Sequence, residues 1–223
     1  MMLLNLLSHL MRKPPRQTLP GETTESGAEA RAQPSRLHVG CGRTILQDWI
    51  NLDSMALPGV NIVADLEQCA TRPLPLQDNS IDEFLLSHVL EHIRQPLPLM
   101  QELWRVARPG AVMTVRIPYG SSDEAFEDPT HVRQYFLHSF GYFSQPFYWR
   151  ADYGYRGDWQ PEKIKLLVPK EDNEGLDADQ MFKRLMRERN VALEMIAELH
   201  CVKPQRAPDA DLRRSPNIEF VRT

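Results

Sequence analysis

Residues 37–42 read LHVGCG, and residues 50–53 read INLD. The first stretch is a short apolar run that ends in two glycines. It predicts a strand entering a tight turn, because a residue without Cβ lets the chain turn sharply and approach a ligand closely. The second, within Trp49-Ile50-Asn51-Leu52-Asp53, predicts a strand ending in an acid, and Asn61-Ile62-Val63-Ala64-Asp65 predicts a third of the same kind. In open α/β sheets, ligands bind outside the carboxyl ends of the strands, where the strand order reverses. Gly40, Gly42, Asp53, Asp65 and the segment after Ser87 are therefore expected to meet at one place.

Working outward, Ile81 to Ser87 reads as a fourth, deeply buried strand. A helix follows from about Leu97 to Arg108. Its apolar face is Leu99, Met100, Leu103, Trp104 and Ala107, and Pro109-Gly110 ends it. Ala111–Ile117 predicts a fifth strand, Lys163–Val168 a sixth and Leu193–Val202 a seventh. Asp177 is placed to cap a helix with Met181, Phe182, Leu185 and Met186 on its apolar side. Near-continuous apolar strands alternating with helical segments indicate an α/β fold: a Rossmann-like, mostly parallel, seven-stranded sheet with helices on both faces. The connection from Asp53 to Asn61 is too short for a helix. Residues 118–160 are dense in aromatics, from Tyr119 through Phe140 and Trp149 to Trp159, and read as a small cap insertion.

The ends have a different character. Residues 1–13 place Met1, Leu3, Leu4, Leu6, Leu7, Leu10 and Met11 on one helical face, and Pro14-Pro15 stops that helix. Residues 14–35 carry almost no large apolar side chain and read as a disordered linker. The domain is expected to span 36–203, followed by an extension over 204–223 whose residues 217–222 can add an edge strand. The net charge of −4 supplies no general field for nucleic acid. Cys41, Cys69 and Cys201 form no CxxC pair, which fits reduced thiols in a cytoplasmic protein. No stretch approaches the roughly 20 apolar residues of a membrane span. The helix over 1–13 offers an apolar face to a membrane surface or a protein partner.

A dinucleotide site needs a third glycine three residues after the second. Position 45 is Ile45, and no Gly-Lys-Ser follows. The ligand expected is thus a nucleoside without a pyrophosphate, and S-adenosylmethionine fits. Together, LHVGCG, INLD, VADL at 63–66, LPLQDNSIDEFLLSHVLEHI at 74–93 and LWRVARPGAVMTVRIP at 103–118 resemble class I S-adenosylmethionine-dependent methyltransferases in order and spacing. They are most similar to small bacterial members associated with surface-polysaccharide and secondary-metabolite genes. DPTHVRQYF at 128–136 resembles a segment those proteins carry after the fifth strand. The resemblance implies that Gly40, Cys41 and Gly42 pass beneath the methionine part of the cofactor. Asp53 would bind the ribose, Asp65 and Leu66 would flank the adenine, and Ser87 and His88 would line the site near the methyl group. His38 stands where many members have an acid.

The reaction expected is methyl transfer to a small-molecule or glycan acceptor, with O-methylation favoured. A hydroxyl acceptor needs a base, and His131 and His88 are the candidates. His88-Val89-Leu90-Glu91-His92 also matches a zinc-peptidase pattern, but it straddles a strand end, so no metal is expected and Glu91 and His92 read as capping or supporting residues. A reading from another class is a catalytically weak Rossmann-like binding module acting through the N-terminal helix.

Overall fold

A computed structural model describes residues 34–223. The helix expected over 1–13 lies outside the described residues, as does the 14–35 segment apart from Pro34 and Ser35. Eight strands form a single sheet: β1 (Arg36–Val39), β2 (Ile50–Asp53), β3 (Ile62–Val63), β4 (Ile81–Ser87), β5 (Ala107–Pro118), β6 (Trp159–Val168), β7 (Glu194–Cys201) and β8 (Asn217–Arg222). The helices are α1 (Pro96–Val106), α2 (Glu124–Glu127) and α3 (Ala178–Leu185). The order across the sheet is β3-β2-β1-β4-β5-β7-β6-β8. Strands β1 to β5 pair in parallel, β7 is antiparallel to both β5 and β6, and β8 is parallel to β6. The chain leaves β1 in one direction for β2 and returns on the other side as β4. That reversal is the switch point at which such sheets bind ligands.

The architecture is the Rossmann-like α/β sheet expected, with eight strands in place of seven. The extra one is the C-terminal segment, which continues the sheet beyond β6. Two strands are longer than the pattern indicated. β5 begins at Ala107, straight after α1, because Pro109-Gly110 sits within the strand as a bulge: the register jumps from Ile81↔Ala107 to Glu83↔Val112, and Gly110 takes φ +77. β6 begins at Trp159, which is wholly buried. Its indole N–H donates to the Met100 carbonyl at 3.0 Å, and its ring meets Phe84 edge-on at 5.6 Å, so the strand start is fixed by α1 and β4 together.

The connection from β1 to β2 contains no helix. A buried amide does the stapling. The Asn51 side chain accepts from the Leu46 N–H at 3.0 Å and donates to the carbonyls of Leu46 and Trp49 at 3.0 and 3.1 Å. Backbone groups without secondary structure need such partners when they leave water. His38, beside Asn51 in the register, places Nδ1 3.3 Å from its Oδ1. Burial pushes the His38 imidazole below its ordinary range, against the pull of Asn51 and the charge of Asp53. A neutral His38 is thus an internal strut of the sheet, away from the ligand groove described below.

Residues 119–158 hold α2 and two short turns, Ser139–Phe143 and Gln145–Trp149, with Phe140 fully buried. Asp158, fully buried, is gripped by Arg206: Nε donates to Oδ2 at 2.8 Å and Nη2 to Oδ1 at 2.7 Å. Arg206 Nη2 also reaches the Ser144 hydroxyl at 2.9 Å, which ties the insertion to the segment after β7. No helix among the described residues is long and apolar enough to cross a membrane.

Candidate active site

The glycine turn is built by two backbone requirements. Gly40 takes φ +63, and a Cβ there would lie 2.6 Å from a Val89 methyl, so both conformation and close packing demand glycine. Gly42 takes φ +52 and faces open space. Its N–H donates to Asp53 Oδ2 at 2.8 Å, while Asp53 Oδ1 accepts the Met55 N–H at 2.9 Å. Asp65 caps the short turn Leu66–Gln68, accepting from the Glu67 N–H at 3.0 Å and the Gln68 side-chain amide at 3.0 Å.

A groove of about 220 Å³ lies at the carboxyl ends of β1, β2 and β4. Gly40, Asp53, Asp65, Leu66 and His88, all expected from the sequence, form its wall. Ser54, Val89, His92 and Ile93 complete it, the last three from the segment after Ser87 that was expected at this edge. Cys41, Gly42 and Ser87 stand beside the groove and are not on its wall. Cys41 is buried, its thiol raised by burial and by Asp53, and contacts the Gly42 carbonyl at 3.6 Å.

His88 adopts φ +55, an uncommon conformation for a residue with a side chain. Its ring is held on both sides. Nε2 lies 2.9 Å from Glu194 Oε1, and Nδ1 lies 3.2 Å from Glu91 Oε1, an ion-pair contact off the hydrogen-bond axis. Glu194 is gripped in turn by Arg116, whose Nε lies 3.0 and 3.1 Å from its two oxygens and whose Nη2 makes a further contact. Burial works against the Glu194 charge, but His88 and Arg116 hold its carboxyl below the ordinary range. The hydrogen bond that the ring donates to Glu194, with the Glu91 carboxylate close to its other nitrogen, pushes His88 up to about 9. With a carboxylate at each ring nitrogen, His88 keeps its proton at neutral pH. That geometry suits a positioning cation and not the base expected of it.

His131 sits behind His92. The two rings meet edge-on with centroids 4.8 Å apart, and only His92 reaches the groove wall. His131 Nδ1 lies 3.4 Å from the Ala125 carbonyl, and Thr130 Oγ1 lies 2.9 Å from His92 Nδ1. The loop bearing His131 is fastened to the turn bearing His92 by the Val132 N–H, which donates to the Glu91 carbonyl at 2.8 Å.

A larger cavity of about 780 Å³ lies under the insertion. Tyr119, Phe136, Tyr142, Phe143 and Tyr148 supply much of its surface, with Arg94 and Arg133 at charged positions. The two cavities are bounded by consecutive residues, Ile93 in one and Arg94 in the other. The aromatic density of the sequence was the signal for this space. Its closure by residues 133–153 was not readable, because it depends on how the turns of the insertion fold back.

Residues 37–115 match the family model of a methyltransferase domain. A stretch of 39 residues is 54% identical to an uncharacterized methyltransferase of Mycobacteroides abscessus; it covers 18% of this chain and 15% of that protein. The structure resembles a SAM-dependent methyltransferase from Archaeoglobus fulgidus, with a TM-score of 0.54, 14% identity, and coverage of 75% of this chain and 86% of that one. Residues 37–115 thus resemble a methyltransferase domain, and the sheet shares the fold of the Archaeoglobus fulgidus protein.

Proposed function

We propose that the protein is an S-adenosylmethionine-dependent methyltransferase acting on the hydroxyl of a small molecule or glycan unit. The carrying observation is the convergence of Gly40, Asp53, Asp65, Leu66 and His88 on one groove at the switch point, next to a cavity large enough for an acceptor. The groove fits the cofactor. Asp53 and Asp65 present carboxylate oxygens for hydroxyl and amine donors, Leu66 offers an apolar surface beside them, and Gly40 brings bare backbone to the wall. Two cations, His88 and Arg116, alternate with two anions, Glu91 and Glu194, so this corner carries no net charge toward a sulfonium.

When bound, S-adenosylmethionine supplies an electrophilic methyl group whose bond to sulfur breaks, with its electron pair, as the acceptor oxygen bonds to carbon. The chain's part is positioning, which can account for much of a barrier of this kind. The tyrosine-rich cavity would hold the flat body of the acceptor by stacking, with Arg94 and Arg133 satisfying an anionic substituent. The hydroxyl proton would pass to the His92–His131 pair. His92 stands on the groove wall, and His131 orders it from behind. The test is transfer of a labelled methyl group from S-adenosylmethionine into fractionated small molecules and glycans, with calorimetry of S-adenosylhomocysteine binding. An absence of cofactor binding by the full chain would overturn the reading.

A further inference from the structure

We propose that Glu91, His92 and His131 form a binding site for a divalent first-row transition-metal ion, of the zinc and iron(II) class, beside the groove. One ligand atom from each of the three lies within 4.8 Å of the others. Tetrahedral bonds of about 2.1 Å place neighbouring ligand atoms about 3.4 Å apart, so modest ring rotations close the site. Two imidazoles and a carboxylate, with positions left open, suit borderline divalent ions.

The hydrogen bonds around the cluster single out its ligand atoms. The Thr130 hydroxyl donates to Asp128 Oδ1 at 2.6 Å, so its oxygen is left to accept from His92 Nδ1 at 2.9 Å. That assigns the His92 proton to Nδ1 and the lone pair to Nε2. The Ala125 carbonyl can only accept, which assigns the His131 proton to Nδ1 in the same way. Metal-bound histidines are typically held like this, the second ring nitrogen donating to an oxygen that fixes tautomer and orientation. Asp128 Oδ2 lies 3.9 Å from His131 Nε2 and stays outside the three-residue cluster.

Glu91 is the independent sign that something belongs there. It is 2% exposed, and Oε2 has no hydrogen-bond partner; Oε1 has only the off-axis contact with His88. Leaving a buried carboxylate oxygen without a partner is costly, and an ion removes that cost. The pattern from His88 to His92 matches a zinc motif set aside for its place at a strand end, and His88 is taken by Glu194. What the pattern did not show is that the insertion returns His131 to the same corner. The inference does not rest on methyl transfer; a bound ion would occupy the Nε2 lone pairs of His92 and His131, so the pair can take an acceptor's proton only in the ion-free protein.

The experiment is titration of the untagged full-length chain with Co²⁺, followed in the visible range, with Zn²⁺ as competitor. The expected result is saturable binding of a single equivalent in the micromolar range or tighter, displaced by Zn²⁺. His92→Gln, His131→Gln and Glu91→Gln should each weaken it about tenfold or more, and Thr130→Val, which removes only the supporting hydroxyl, by about 10–100-fold. His200→Gln, at a surface histidine paired with Glu198, should leave it unchanged. Circular dichroism shows which variants are folded; if Glu91→Gln is not, Thr130→Val and His131→Gln carry the test. No saturable Co²⁺ binding by the parent, or equal affinity in parent and folded His131→Gln, overturns the proposal.

Discussion

Asp53 accepts the Gly42 N–H at 2.8 Å, so the acid that ends β2 is tied to the glycine turn that ends β1. One side chain thus shapes the turn and lines the groove. Asp53→Ala should weaken S-adenosylhomocysteine binding by about 2–3 kcal/mol, the scale of lost charge-assisted hydrogen bonds. Asp53→Asn keeps an acceptor for Gly42 and should lose less. Calorimetry on both variants checks the order; equal binding by both and by the parent would displace the site from this groove.

His38 makes stability depend on pH with a definite sign. Burial depresses its pKa in the fold, while in the unfolded chain it titrates at its ordinary value of 6.5. As pH falls through that value the unfolded chain takes up a proton that the fold refuses, so the contribution is complete above it and is lost below it. Melting temperature of the parent should therefore fall as pH drops below about 6.5, where the opposite contribution of His88 is already complete. His38→Gln should flatten the part of that slope near neutrality. An unchanged slope in the variant would mean that His38 accepts its proton in place.

The Asp158–Arg206 pair predicts a large stability effect far from the groove. Asp158 is fully buried and Arg206 is its counterion. Removing one member strands the other, which typically costs about 3–5 kcal/mol. Asp158→Ala should lower the urea midpoint on that scale. Arg206→Ala should do much the same, and the double variant should cost less than the sum. Additive losses would show that the two side chains act separately.

Legibility in the sequence followed the range of the interactions. Gly40 and Gly42 announce a turn because their positive φ demands glycine locally, and Asp53 and Asp65 announce strand ends because the acid follows its own strand. The bulge at Pro109-Gly110 was misread as a helix stop, since the same residues serve both purposes and only the pairing with β4 decides. The start of β6 was hidden because Trp159 is fixed by Met100 and Phe84, far away in the chain. The clamp on His88 was illegible for the same reason. Glu194 lies 106 residues on, brought in by the antiparallel pairing of β7 with β5, and nothing near Glu194 marks it as a partner of a histidine.

The two histidines beside the groove should separate binding from turnover. His92 stands on the groove wall, whereas His131 reaches it only through the His92 ring and the loop that carries both Thr130 and His131. His131→Gln should therefore leave S-adenosylhomocysteine affinity near that of the parent and cut turnover by roughly 10²-fold, the scale of a positioned proton-transfer group. His92→Gln should reduce both, because its side chain also shapes the wall. The comparison needs cofactor affinity and single-turnover methyl transfer measured on both variants with one acceptor. Because the loop is fastened independently by the bond from the Val132 N–H to the Glu91 carbonyl, His131→Gln should keep the parent's melting behaviour. A variant that melts normally and still turns over at the full rate would remove His131 from the chemistry and leave the proton to His92 or to solvent.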